Sequence, residues 1–191
     1  MDIVFVRHGQ GEHTQNIPQS YQVNDPGLTE SGRRQAAELR ERLPLTIDDA
    51  VIASPTRRTL QTAAIWCGDS SASRFAHPSV GPRQFPLKYD FQTLVCDRTM
   101  DRERIAAEFA DFLLPPDVPD YIWLQGVNTL PIVLFETWAQ QFLIWCKRLG
   151  KEKVYVVSHD GTIASYMQYI TGRTLTRIDM LSEAEWFPVS V

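Results

Sequence analysis

The chain has 191 residues, 43% of them hydrophobic, enough for one α/β domain that builds its own core without an external staple. A formal net charge of −4 argues against nucleic acid or an anionic membrane as the main partner, because both call for a surplus of basic residues. Three cysteines, Cys67, Cys96 and Cys146, are widely spaced and form no CxxC pair. With no signal-like segment before residue 3 and no apolar run of membrane-spanning length, this pattern predicts a soluble cytoplasmic protein with reduced thiols.

Ile3 to Val6 is an unbroken apolar run and reads as a short strand buried on both faces, as in a parallel sheet. Arg7, His8 and Gly9 come directly after it, at the carboxyl end of that strand, where open α/β sheets place their ligands. Residues 14–28 contain Pro18 and Pro26 and read as a loop over the strand ends. Thr29 to Leu43 has the pattern of an amphipathic helix, capped by Thr29, with Ala36, Leu39 and Leu43 as its apolar stripe. Ala50 to Ser54 reads as a second strand. Ser54-Pro55 then reads as an N-cap and first helical position, opening a helix that ends near Cys67.

Beyond Gly68 the pattern weakens. Arg74 to Pro78 reads as a further strand, and Gly81, Pro82 and Pro86 interrupt the chain after it. Asp101 to Leu114 carries Ile105, Phe109 and Phe112 at helical spacing and is expected to stop at Pro115-Pro116. An irregular stretch with Trp123 is expected next. A helix then runs from about Leu134 to Leu149, its aromatic face (Phe135, Trp138, Phe142, Trp145) read as core, with Gly150 at its end. Val154 to Ser158 is a third apolar strand, ending at His159-Asp160-Gly161 before a helix from Thr162 to about Ile170.

Two strands at opposite ends of the chain thus each deliver a histidine past their carboxyl end, His8 and His159. If they are neighbours in one sheet, both imidazoles face one crevice. The second strand-to-helix junction adds Arg57 and Arg58 in a first helical turn, where backbone N–H groups also favour an anion. Guanidiniums grip phosphate oxygens bidentately in a fixed plane, so the implied ligand is a phosphoryl group. A histidine can attack phosphorus if one ring nitrogen is neutral and the other donates to a nearby carbonyl, a need that His8 beside Gly9 meets. His13 and His77 read as structural, and neither ligand spacing for a metal nor a GxGxxG dinucleotide pattern is present.

Arg7-His8-Gly9, Leu28 to Ala36, Ser54 to Ala63 and Ser158-His159 together resemble, in order and separation, the hallmarks of the histidine phosphatase superfamily, also called phosphoglycerate mutase-like. The resemblance implies a three-layer α/β/α sandwich with a mostly parallel central sheet, one domain over 1–191, with 100–150 as a helical flank or cap. It implies His8 as phosphorylated nucleophile, Arg7 and Arg58 as clamp, His159 as second pocket histidine, and Arg57 as a surface residue.

The departures from the family pattern are local. Gln10-Gly11-Glu12-His13 resembles a branch reading Gln-Gly-x-His-Asn, with Thr14 where that branch has a phosphate-contacting asparagine and Asn16 two residues on. Asp160 replaces the usual glycine after His159. Thr14, Asn16 and Asp160 are therefore taken as substrate-binding candidates. For the general acid, Asp90 stands at the offset before Cys96-Asp97 at which the resembling branch has glutamate, between aromatic neighbours able to exclude water. Asp97, Asp160 and Glu12 are the other possible donors. The expectation is a metal- and cofactor-independent phosphatase acting on a small phosphorylated substrate. The competing readings are a phosphoglycerate-type mutase and a catalytically weak phosphate-binding regulatory domain.

Overall fold

The computed structural model describes residues 1–88 and 90–191. Its centre is a five-stranded sheet built from β1 (Asp2–Arg7), β2 (Asp49–Ala53), β3 (Ser73–Ala76), β4 (Lys153–Ser158) and β5 (Trp186–Ser190), in the order β3-β2-β4-β1-β5. All pairings are parallel except β1 with β5. The apolar run of β1 divides by the two-residue period of a strand. Val4 and Val6 enter one core with Val51, Ala53, Tyr155 and Val157, and Ile3 and Phe5 enter the other with Ile52, Val154 and Val156. Both faces are therefore covered, the condition under which parallel strands read as continuous apolar runs.

On the first face lie α1 (Glu30–Arg42) and α2 (Arg57–Cys67), contributing Leu39, Leu60, Ala63 and Trp66. This face also takes Ile105 of α3 (Arg102–Glu108) and Trp123 of α4 (Asp120–Gln125). On the second face lie α5 (Ile132–Arg148), through Phe135, Ala139, Phe142 and Cys146, and α6 (Asp160–Thr171), through Ile163 and Tyr166. The result is a three-layer α/β/α arrangement. Thr29 caps α1 as expected, its Oγ1 accepting from the Gly32 amide. All three cysteines are free and buried. Among the described residues, no helix is long and apolar enough to cross a membrane.

The structure departs from the sequence reading in five places. Ser54 is not the cap of α2; the helix starts at Arg57 with Thr56 in the cap position, because the Ser54 hydroxyl is held by His159. The helix expected over 101–114 ends at Glu108. Leu113 instead lends its backbone to β3, donating to the Arg74 carbonyl and accepting from the Ala76 amide. The stretch around Trp123 is helical. The last helix begins at Asp160, which puts that carboxylate in its first turn. The edge strand β5 has no counterpart in the reading, since Pro188 and exposed positions hide its alternation.

Candidate active site

The parallel register sets Arg7 opposite Ser158, and hydrogen bonding continues past the strand ends. The His8 amide donates to the Ser158 carbonyl at 3.0 Å, and the Ser54 amide donates to the Val157 carbonyl at 2.9 Å. Three exits from β1, β2 and β4 are thereby pinned at one point. The His8 and His159 rings stand 5.1 Å apart, centroid to centroid, and both are buried.

His8 Nδ1 lies 2.7 Å from the Gly9 carbonyl oxygen. A carbonyl can only accept, so Nδ1 carries the proton and Nε2 keeps its lone pair. Burial, helped by the Arg58 charge, holds the His8 pKa well below its ordinary 6.5, so the ring is neutral at physiological pH. His159 is neutral for the same reason. Arg58 Nη2 donates to its Nδ1 at 3.2 Å, which assigns the ring proton to Nε2, 2.8 Å from Ser54 Oγ.

Arg58 is 1% exposed. It donates through Nη1 to the Cys96 carbonyl at 2.7 Å and through Nη2 to Asp97 Oδ1 at 3.0 Å. Arg7 donates through Nη1 to the Leu181 carbonyl at 2.7 Å and pairs through Nη2 with Asp160 at 3.2 Å. Each guanidinium retains a buried Nε–H without an acceptor among the described residues, which is donor capacity suited to an anion. Arg57 is turned away from this cluster, to Asp25 and Glu108 on the surface.

Next to this cluster opens a cavity of about 660 Å³, lined by Arg7, His13, Thr14, Asp97 and Asp160 among others, with His8, Arg58 and His159 buried outside its lining. His13 sits 5.5 Å from the His8 ring, with its pKa lowered to about 3 by burial and by Arg58 and Arg7. The sequence reading sets His13 aside as structural, although it stands in the Gln-Gly-x-His stretch that the resembling branch carries. Thr14 reaches the cavity wall, its hydroxyl donating to the Gly11 carbonyl at 2.8 Å. Asn16 is exposed and absent from the lining; at φ 55° it occupies a left-handed turn, a conformation that asparagine tolerates. His77 is remote and structural, wedged against Phe142 and Trp145 and accepting from the Ser79 amide.

The two lining carboxylates differ. Asp160 spends both oxygens, Oδ1 on the Gly161 amide and Oδ2 on Arg7. Asp97 spends Oδ1 on Arg58, and no cation pairs with its Oδ2 among the described residues. Burial raises the Asp97 pKa above its ordinary 3.8 against the opposing pull of Arg58. Asp90 is an exposed turn residue outside the cavity lining, so the dry setting expected for it is not found; its neighbour Tyr89 lies outside the described residues.

The motif residues around this cluster hold its loops. Gly9 packs so closely on α1 that an added Cβ would come within 2.5 Å of the Gly32 carbonyl oxygen. The Gln10 amide donates to Gln35 Oε1 at 2.7 Å, and the Leu28 amide donates to Gln61 Oε1 at 2.8 Å. A Cβ at Gly161 would overlap the Arg83 carbonyl, so that glycine lets the 83–86 wall lie against the start of α6.

Residues 3–76 match the family model of the histidine phosphatase superfamily (branch 1). The whole chain superposes on the α-ribazole phosphatase of Shigella flexneri with a TM-score of 0.64 at 16% identity, covering 100% of this chain and 91% of that one. The chain carries the histidine phosphatase fold. The phosphoserine phosphatase of Entamoeba histolytica shares this histidine phosphatase fold with a TM-score of 0.61 at 19% identity, over 98% and 89% of the two chains. A Schizosaccharomyces pombe protein described as a probable phosphatase is 38% identical over 68 residues. That match spans 33% of this chain and 30% of the yeast protein.

Proposed function

We propose that the chain is a metal-independent phosphomonoester hydrolase that works through a phosphohistidine on His8. The observation that carries this reading is the His8 Nδ1 contact with the Gly9 carbonyl, which leaves Nε2 its lone pair on a neutral, buried ring that feels the charges of Arg58 and Arg7. Nε2 forms a bond to phosphorus while the ester P–O bond breaks. Arg7 and Arg58 hold the charge on the equatorial oxygens, and the second histidine His159 positions Arg58 by accepting from its Nη2. Asp97, with its raised pKa and one oxygen free of any cation, gives its proton to the leaving alkoxide. Water then attacks the phosphohistidine, Asp97 takes back a proton, and phosphate leaves. The family match over residues 3–76 and the phosphatase names of the matched proteins support the reaction class.

A second reading, a phosphate-binding domain with feeble turnover, draws on the pairing of both clamp arginines with Asp97 and Asp160, which offsets their charge. Denaturing quench during turnover of a ³²P-labelled monoester separates the two. The hydrolase yields acid-labile, base-stable phosphohistidine that His8→Ala abolishes. A chain that binds vanadate without forming that adduct or releasing phosphate is the binding domain.

A further inference from the structure

Arg7, Asp97 and Asp160 carry the site into the cavity lining; the remainder of that lining has a chemistry of its own. Its walls are Ile17, Tyr21, Phe85, Phe91, Leu94 and Met180, brought from three separate segments. A three-carbon phosphate ester would leave these walls bare, whereas sites of several hundred Å³ lined by apolar side chains bind by burying most of an apolar ligand.

Charge on the same walls is positive. Beyond Arg7, the lining holds Arg83, Lys88 and Arg177, set against Asp97 and Asp160 alone, in a chain whose net charge is −4. Asp97 and Asp160 are already engaged by Arg58 and Arg7, while Arg83, Lys88 and Arg177 have no carboxylate partner among the described residues. Arg83 is 6% exposed, fixed by the Val127 carbonyl at 2.8 Å and lying 4.1 Å over the Phe135 ring, and it contributes its field. Lys88 and Arg177 are exposed and can reach a ligand. Leu181, four residues after Arg177, accepts from Arg7, which ties this cationic segment to the phosphoryl end.

We propose that the substrate is a phosphate monoester with an apolar or aromatic body and a second anionic group, the body lying on Phe85 and Phe91 and the second anion meeting Lys88 and Arg177. This rests on the phosphatase reading and deepens it.

The test compares kcat/KM for 4-(carboxymethyl)phenyl phosphate, 4-methylphenyl phosphate and 3-phosphoglycerate; the two aryl esters have leaving groups of similar acidity. Affinities of His8→Ala for the same three are measured by calorimetry, which reads recognition without turnover. The carboxymethyl ester is expected to exceed the methyl ester about three- to tenfold in both measurements, the range that two exposed ion pairs supply. Both aryl esters should exceed 3-phosphoglycerate. In Lys88→Gln/Arg177→Gln, surface changes that leave the core intact, the ratio of the two aryl esters should fall to about one. An equal or better result with 3-phosphoglycerate, or a ratio of the aryl esters that the double variant leaves unchanged, would overturn the proposal. Ordered affinities in His8→Ala with no turnover by the unmodified chain would keep this ligand class and sink the hydrolase reading instead.

Discussion

The Thr62 hydroxyl stands between the two halves of the site: it accepts from the Gly9 amide at 3.1 Å and donates to the Arg58 carbonyl at 2.7 Å. One side chain of α2 thus fixes the loop that orients His8 and does so from the turn that carries the clamp. Thr62→Val keeps the shape and removes the hydroxyl, leaving the Gly9 N–H buried and unpaired. The expected cost is about 1–3 kcal/mol in urea unfolding, with a fall in kcat as Gly9 loosens and His8 loses its fixed tautomer. Thr62→Ser should restore both. Unchanged stability and kcat in the valine variant would show that Gly9 is held by other means.

Asp97 is expected to matter in proportion to the proton its leaving group needs. Asp97→Asn should slow alkyl phosphate hydrolysis by about 10²- to 10⁴-fold and aryl phosphate hydrolysis much less. Asp90→Asn, at an exposed turn, should leave both rates near normal. Equal losses on both ester types in Asp97→Asn would reduce Asp97 to a partner of Arg58.

On the proposed mechanism two displaced groups set the pH profile. His8 must be neutral to attack, and its pKa lies well below 6.5, so the rate should not fall as pH drops through 6.5. Asp97 must be protonated to donate, so activity on alkyl esters should decline as pH rises through its raised pKa, giving an acidic optimum. Asp97→Asn should remove that basic limb. A limb that persists in the variant assigns it to another group.

Stability should run the other way. His13 and His77 have folded pKa values of about 3, against 6.5 for an unconstrained ring. Below 6.5 the unfolded chain therefore binds more protons than the folded one, and stability falls as pH drops from 6.5 toward 3. His77→Leu, measured by urea midpoints between pH 7 and pH 4, should lose less over that interval than the unmodified chain. An identical slope would mean that His77 is charged when folded.

Chelators should leave hydrolysis intact, because Arg7 and Arg58 bring the cationic charge that a divalent ion brings to kinases. Activity lost in EDTA and restored by one divalent ion would recast Asp97 and Asp160 as ligands.

How much of this could be read from the residues varies along the chain. Strands β1, β2 and β4 are buried on both faces, so their apolar runs stand out, and Thr29 and Gly150 mark helix ends by ordinary capping chemistry. The convergence of His8, His159, Arg7 and Arg58 was legible because strand exits and a first helical turn meet for topological reasons. The 68–131 stretch was not, since its course depends on partners distant in sequence: Leu113 abandons a helical pattern to pair with β3. That Asp97 lines the cavity while Asp90, seven residues earlier in the same loop, is exposed could not be read from the residues, because burial of a single loop aspartate leaves no periodic trace. Gln35, Gln61 and Thr62 could be matched as motif residues, but their work as struts for loop amides became visible only with the partners in place.

The pairing of Arg7 with Ser158 also bears on how the protein is made. β1 is synthesised about 150 residues before its parallel neighbour β4, and its antiparallel neighbour β5 follows later still. At bacterial or eukaryotic elongation speeds, this apolar strand waits on the order of ten seconds before either edge can be satisfied. During that interval Ile3, Val4, Phe5 and Val6 form an unpaired apolar strand of the kind that recruits other chains. The parallel pairing that sets His8 beside His159 thus also leaves the β1 segment in need of shielding until β4 and β5 have been made.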